Sequence, residues 1–161
     1  MIVVSNTSPI INLAVVGQLE LLRQLYGQVI IPRAVYDEIV ISGAGQPGAV
    51  EARTWDWIEV KPVADPTRVA SLLLELDAGE SEAIALALEL GADLLLLDER
   101  KGRAVAAHLG VRCLGLLGVL IEAKHNGFVP AVKPVLDRLI QGAGFWIGAA
   151  LYEHVLRTAG E

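Results

Sequence analysis

Four oxygen-bearing side chains occupy positions from which they can act together: Asn6, Glu38, Glu80 and Asp98. Asn6 and Asp98 each follow a short apolar run that is typical of a buried strand. Glu38 and Glu80 fall within predicted helices, Glu80 near the start of its helix. Carboxylate and amide oxygens are hard ligands, and no His or Cys cluster accompanies them, so the set suits Mg²⁺ or Mn²⁺ rather than zinc. The sequence therefore predicts an acidic divalent-metal site at one edge of a sheet.

The helix that carries Glu80 has the clearest predicted boundaries. Asp77 stands where an N-cap belongs and Glu80 follows three residues later, which is the spacing of a capping box. Gly91 supplies the C-terminal stop, and the Ala- and Leu-rich sequence before it predicts a helix packed on both sides. The leucines at 94–97 suit a central parallel strand, which places Asp98 at the strand end where ligands bind in open α/β sheets.

The rest of the chain alternates between strand and helix patterns. Strands are predicted at residues 2–4, 29–31, 57–60, 94–97 and 111–114. One helix is expected to begin at Pro9 with Ser8 as its cap, and another to begin at Pro32. Further helices are predicted at 19–26, 49–54, 67–76, 78–90, 101–109, 117–125, 130–140 and 149–158. The alternation predicts an α/β fold, a three-layer α/β/α sandwich around a parallel sheet of about five strands.

Composition narrows the class of protein. A chain of 161 residues fits a single domain over residues 1–161. It is 53% hydrophobic, yet no apolar run approaches the ~18 residues of a membrane span, so we expect the excess apolar surface in a homodimer interface. The sequence starts without a signal-peptide pattern and has only Cys113, which predicts a cytoplasmic setting, no membrane and no intrachain disulfide. A net charge of −6 argues against wholesale wrapping of nucleic acid but allows a local basic rim.

Six segments carry a family resemblance that extends over nearly the whole chain. In order they are SNTSP (5–9), IPRAVYDEI (31–39), DAGESEAI (77–84), LDER (97–100), LGLLGVL (114–120) and GFWI (144–147). Each segment is weak alone, but in this order and spacing they resemble a PIN domain. No glycine-rich phosphate loop of the G-x-G-x-x-G or Walker type occurs, so a dinucleotide or P-loop site is not expected.

The resemblance implies a metal-dependent ribonuclease, with Mg²⁺ or Mn²⁺ as cofactor and acidic residues gathered at one edge of a five-stranded parallel sheet. Many relatives are toxins of toxin–antitoxin pairs, which implies RNA and an antitoxin protein as partners. Matched residue by residue, the implied metal ligands are Asn6, Glu38, Glu80 and Asp98, and the three acids among them are the implied catalytic groups. Thr7 or Ser8 is implied as a supporting hydroxyl, and Glu82 or Glu99 as an outer acid.

Basic and aromatic side chains give weaker signals. A basic rim for RNA phosphates is one interpretation of the cluster at Arg100, Lys101 and Arg103, together with Arg112; a solvated helix face is the other. Trp55 and Trp57 are expected to pack in the protein rather than stack on bases. No chemistry is assigned to the three histidines.

Each site residue also has an ordinary structural explanation. Asn6 can cap the turn that starts the next helix, and Asp98 can cap the helix that follows its strand. Glu38 can be a solvated helix charge, since it and Asp37 point about 100° apart and only one of them is expected to face the sheet edge. Glu80 can serve in the capping box and still bind metal.

The chain departs from the family pattern at Asn6 and Leu116. Active relatives usually carry Asp at the first of these positions and often a hydroxyl residue at the second. Asn can bind metal through its carbonyl oxygen, but it removes one negative charge from the site. A PIN-like module that binds RNA or a partner protein without turnover is therefore the alternative function. A receiver-like domain for phosphoryl transfer is disfavoured, because no acidic pair follows the first strand.

Overall fold

The computed structural model describes residues 1–161 and contains one five-stranded sheet. The strands are β1 (Val3–Ser5), β2 (Val29–Pro32), β3 (Ile58–Lys61), β4 (Leu94–Leu96) and β5 (Cys113–Leu114). All neighbouring strands are parallel, and their order across the sheet is β3-β2-β1-β4-β5. The chain moves outward from β1 in one direction and then returns to place β4 on its other side. The carboxyl ends of β1 and β4 therefore form the switch point where open α/β sheets bind ligands.

Ten α-helices and one π-helical segment (Asp37–Ser42) connect and cover the strands. The helices are α1 (Thr7–Val15), α2 (Glu20–Tyr26), α3 (Arg33–Tyr36), α4 (Ala49–Thr54), α5 (Pro66–Leu72), α6 (Ala78–Leu90), α7 (Arg100–His108), α8 (Leu116–His125), α9 (Lys133–Gly142) and α10 (Ala149–Thr158). The longest, α6, has 13 residues, and no helix is both long and apolar enough to cross a membrane.

Most predicted boundaries agree with the structure to within a few residues, and three helices differ from the prediction. Helix α1 begins at Thr7 rather than at Pro9, so Asn6 and not Ser8 holds the N-cap position. Helix α5 ends at Leu72, four residues before the predicted end, and turns lead from there to Asp77. The helix predicted after Pro32 changes to π-helical geometry after one turn.

The three central strands, β1, β2 and β4, are buried on both faces, as the apolar runs predict, and the edge strands β3 and β5 are mostly half-buried. In and just after β4, Leu94 and Leu96 belong to the larger core, which packs against α1, α2, α8, α9 and α10. Leu95 and Leu97 point the other way, into a second core shared with α5, α6 and α7. All four leucines are 5% exposed or less. Side chains that alternate between two covered faces produce an uninterrupted apolar run. The predicted three-layer α/β/α sandwich is confirmed.

Candidate functional site

Asn6 directly follows β1 and is held at the switch point by its backbone. Its N–H donates to the Leu96 carbonyl of β4 at 2.9 Å, which ties the carboxyl ends of the two strands together. Although Asn6 holds the N-cap position of α1, its side chain makes no capping hydrogen bond. The residue is 7% exposed, and its Oδ1 lies 3.2 Å from the point where a Cβ would stand on Gly79 of α6. The amide oxygen is therefore directed at the start of α6 instead of at its own helix.

Glu38 reaches the same point from the π-helical segment. Its Oε1 lies 2.6 Å from the Cβ position of Gly79, and its Oε2 accepts a 2.5 Å hydrogen bond from the Thr7 hydroxyl. Asp37 points away from this edge, because its Oδ1 lies 3.3 Å from Arg33 Nε. Of the two neighbouring acids, only Glu38 therefore faces the sheet edge. A glycine at position 79 is what allows Glu38 and Asn6 to approach the helix so closely. π-helical turns of this kind are frequent at functional sites.

Glu80 is buried at the first turn of α6, with 6% of its surface exposed. Asp77 caps this helix as predicted, since its Oδ1 accepts the Glu80 N–H at 2.8 Å. The Asp77 N–H in turn lies close enough to the Glu80 carboxylate to lower its pKa, as the return bond of a capping box does. Glu80 Oε2 lies 2.7 Å from the Cβ position of Gly102 on α7. Burial, then a hydrogen bond with Asp77 and repulsion from Asp77 and Glu99, raise the pKa of Glu80 to about 7.

Asp98 uses one carboxylate oxygen for structure and leaves the other free. Its Oδ1 accepts the Leu116 N–H at 2.6 Å, so Asp98 caps α8 and not the helix that follows its own strand. Its Oδ2 is buried and has no hydrogen-bond partner. Burial raises the pKa of Asp98, against the opposing effects of the Leu116 N–H, the Arg103 charge and the Ser8 hydroxyl. Buried polar atoms normally have partners, so this unpaired oxygen at the sheet edge is available to a cation.

The turn at Asn6, Thr7 and Ser8 links these carboxylates. Thr7 donates to Glu38, and Ser8 lies close enough to Asp98 to lower the pKa of its carboxyl. No three His, Cys, Asp or Glu side chains converge into a group that could hold a metal ion alone. The donors nevertheless fit a hard cation in type, and Mg²⁺ is commonly held by one or two carboxylates, with water and substrate phosphate completing its shell.

The two predicted outer acids have different surroundings. Glu82 Oε1 accepts the Ala34 N–H at 3.0 Å, which fixes it to the start of α3. Glu99 is exposed and holds the N-cap position of α7 without a side-chain cap. The negative charge of Glu99 raises the pKa of both Glu80 and Asp98, so it lies at the edge of the acidic group.

Of the predicted basic residues, Arg103 has close neighbours at the acidic edge. Arg103 Nη1 lies 2.9 Å from the Cβ position of Gly115, and Asp98 Oδ1 lies 3.1 Å from that same point. Arg103 forms no ion pair within 4.0 Å and no side-chain hydrogen bond. Arg100 and Lys101 are exposed on the first turn of α7 and also form no ion pair.

A cavity of about 360 Å³ beside Asp98 is the feature that the sequence did not predict. Phe145 and Trp146 line it, and Trp146 is 86% exposed. The GFWI segment contributes to the family resemblance, but nothing in its pattern shows that it folds back against Asp98. Trp55 and Trp57, by contrast, pack against each other with ring centroids 5.5 Å apart, as expected.

Comparison with known proteins shows similarity to one family and to solved structures. A family model described as DUF3368, PIN domain, matches residues 2–161. A PilT N-terminus domain protein from the hyperthermophilic archaeon Sulfolobus solfataricus P2 is similar in structure, with a TM-score of 0.59 and 22% sequence identity. That likeness covers 76% of this chain and 93% of the archaeal chain, and at this identity it concerns the fold alone. No curated protein matches the chain.

Proposed function

Because the chain belongs to the PIN-domain family, we propose that it is a Mg²⁺- or Mn²⁺-dependent ribonuclease that hydrolyses RNA phosphodiester bonds. PIN domains are generally nucleases that use divalent metal ions. The observation that carries the proposal is the buried Asp98 Oδ2, which has no partner and lies at the switch point of the sheet. A nuclease site needs such an oxygen for a cation, whereas a purely structural cap would need only Oδ1.

The proposed ligands are Asn6, Glu38, Glu80 and Asp98, with Thr7 and Ser8 in support. A bound divalent ion would polarise the scissile phosphate and lower the pKa of an attacking water. Thr7 holds Glu38 in place through its hydroxyl, and the Leu116 N–H holds Asp98. Because these oxygen atoms are already held in place, little reorganisation is needed when a ligand binds.

The pKa of Glu80, about 7, allows its carboxylate to exchange a proton near neutral pH. We propose that Glu80 binds metal in its ionised form, so that metal binding and proton release are coupled. Glu38, Glu80 and Asp98 are together the proposed catalytic group.

A second candidate function rests on the neutral side chain at Asn6. Its oxygen lies beside Glu38 at Gly79, where an Asp would add a full charge to the site. A PIN-like module that binds RNA or a partner protein without turnover is the alternative that this residue favours.

The biological assignment follows from the family and is part of the same proposal. We propose that the chain is the toxin of a toxin–antitoxin pair and forms a homodimer, with RNA as substrate and an antitoxin protein as partner. Several large apolar side chains in contact with water support a protein interface, among them Leu74 (86% exposed), Ile41 (61%) and Val50 (56%).

The test is a cleavage assay on single-stranded and structured RNA in Mn²⁺, Mg²⁺ or EDTA. The comparison is between wild type, Asp98→Asn and the matched control Asp56→Asn. Asp56 is exposed just before β3 and so lies at the opposite end of the sheet. Cleavage that requires metal and Asp98 but not Asp56 supports the ribonuclease. RNA or protein binding without metal-dependent cleavage supports the binding module instead.

A further inference from the structure

The cavity beside Asp98 lies where the β5–α8 turn meets the segment between α9 and α10. Its volume is about 360 Å³, within the usual range for pockets that hold small ligands. One side carries polar groups, Asp98 and Arg103, at the acidic edge of the sheet. The other side is apolar and aromatic, with Leu117, Phe145 and Trp146. The cavity is therefore continuous with the proposed catalytic site but chemically different from it.

Trp146 is the most unusual residue in this cavity, because it is a large aromatic residue and is 86% exposed to water. Its neighbour Phe145 packs against the larger core and anchors the segment. The Trp146 ring lies over Gly148, whose Cβ position is 3.8 Å from the ring atom Cη2. An exposed indole at the mouth of a pocket offers a flat surface on which a planar ligand can stack.

Arg103 supplies a positive charge that can bind the phosphate of a nucleotide. Its guanidinium stands over Gly115, next to Asp98, and forms no ion pair or side-chain hydrogen bond within the protein. The planar guanidinium fits phosphate oxygens in a two-point contact. In a chain of net charge −6, an unpaired cation at this position can offset the repulsion that a nucleic acid would otherwise meet.

We propose that this cavity is a nucleobase subsite. An unpaired base of single-stranded RNA stacks on Trp146, and the adjoining phosphate contacts Arg103, which brings a phosphodiester to Asp98. The inference rests on the proposed function and adds the side chains that receive a base and its phosphate; a base held in a duplex would not reach Trp146. Stacking accepts every base, so the subsite selects strand form more than sequence.

A protein anchor fits the cavity less well than a nucleotide. An apolar side chain from a partner would cover Asp98 and Arg103 without supplying polar partners to either, and buried charges that lack partners are costly. A nucleotide supplies both an aromatic ring for the indole and an anionic group for the guanidinium. A protein interface at Trp146 is the alternative that the experiment below distinguishes from the nucleobase subsite.

The experiment measures binding of a fluorescently labelled single-stranded RNA oligonucleotide, in EDTA and separately in Ca²⁺, by anisotropy and tryptophan quenching. Trp146→Ala should weaken binding by about 10-fold, as expected for loss of one stacked base, and Trp146→Phe should recover most of it. Phe128→Ala is the matched control, because Phe128 is also an exposed aromatic residue (40%) but lies outside the cavity. Wild-type tryptophan emission should be quenched by single-stranded RNA and not by a duplex, and the quenching should disappear in Trp146→Phe.

Arg103→Gln should weaken binding and lower the slope of log K against log salt by about 0.7 to 1. Unchanged affinity in Trp146→Ala, equal binding of duplex, or no RNA binding in either condition would overturn the subsite. So would light scattering that shows Trp146→Ala dissociating an oligomer while RNA affinity stays the same.

The outcomes separate the subsite from the proposed catalysis. If Trp146-dependent binding occurs but no RNA is cleaved in Mn²⁺ or Mg²⁺, the subsite stands and the ribonuclease proposal fails. If Mn²⁺-dependent cleavage and RNA affinity are both unaffected in Trp146→Ala, the ribonuclease stands and the subsite fails.

Discussion

Asp98 accepts the Leu116 N–H on Oδ1 at 2.6 Å while its Oδ2 stays buried and unpaired. The bond joins the end of β4 to the start of α8, so it fixes the carboxylate before any ligand is present. An Asn at this position can keep the acceptor that caps α8, but it loses the negative charge. The structural and electrostatic roles of Asp98 can therefore be separated by substitution.

We expect Asp98→Asn to reduce metal-dependent RNA cleavage by at least ~100-fold while leaving stability nearly unchanged. Asp98→Ala should lose the same activity and also destabilise the fold by about 1 kcal/mol, because it removes the cap of α8. Urea unfolding and cleavage assays measure the two effects, with Asp56→Asn as the control. Full activity of Asp98→Asn, or full activity of the wild type in EDTA, would contradict the metal mechanism.

The raised pKa of Glu80 predicts a pH-dependent stability in EDTA. Its folded pKa of about 7 lies above its ordinary value of 4.5, so the folded state favours the protonated acid. This contribution is fully present below pH 4.5 and is lost as the pH rises through 7. Glu80→Gln should therefore be more stable than wild type at pH 8 by on the order of 2 kcal/mol. At pH 5 the difference should be small.

Urea unfolding at pH 5, 6.5 and 8 tests this expectation for Glu80. Saturating Mn²⁺ should raise wild-type stability at pH 8 and have less effect on Glu80→Gln, because the ion binds the folded carboxylate. Stability differences that do not change with pH would show that Glu80 is ionised throughout, and would remove the proton coupling proposed for it.

The close approach at Gly79 gives a steric prediction. A methyl group there would meet Glu38 Oε1 at 2.6 Å and Asn6 Oδ1 at 3.2 Å, so Gly79→Ala must push both side chains away. We expect a loss of Mn²⁺ affinity and of cleavage, although Ala itself is a better helix former than Gly. Gly142→Ala is the matched control, because its only neighbour within 4 Å is Val15, at 3.9 Å. Equal Mn²⁺ affinity in the two variants would place the metal away from Glu38 and Asn6.

Local sequence patterns predicted much of this architecture. The leucines before Asp98 predicted a doubly buried central strand, and Asp77 predicted the start of α6, because both signals depend on neighbouring residues. The bond from Leu116 to Asp98 depends on β5 lying beside β4, which is a tertiary fact. The position of Trp146 against Asp98 likewise arises only when segments far apart in sequence pack together.

Homodimer formation is expected from the exposed apolar surface. Leu73 and Leu74 are 47% and 86% exposed after α5, and Leu109 after α7 is 40% exposed. Two-fold pairing is the commonest way for a soluble protein to bury such groups. Light scattering at micromolar concentration should report the mass of two chains, and Leu74→Glu should shift the protein toward the monomer if the pairing uses this region. A monomeric wild type would refute the dimer.

The Asn6→Asp variant tests whether the neutral side chain of Asn6 limits the affinity of the site for metal. Its oxygen approaches the same point on α6 as Glu38, so a new carboxylate would lie beside an existing one and repel it. The metal-free Asn6→Asp protein should therefore be less stable than wild type. A negative charge within a few ångströms of the ion adds about 1 kcal/mol or more of attraction, so Mn²⁺ should bind at least ~5-fold more tightly. Saturating Mn²⁺ should more than restore the lost stability. Calorimetric Mn²⁺ titration of both proteins at one pH gives the comparison, and Asn6→Gln serves as a neutral control. Equal dissociation constants for wild type and Asn6→Asp would remove Asn6 from the metal site and leave its buried amide as a structural group between β1 and α6.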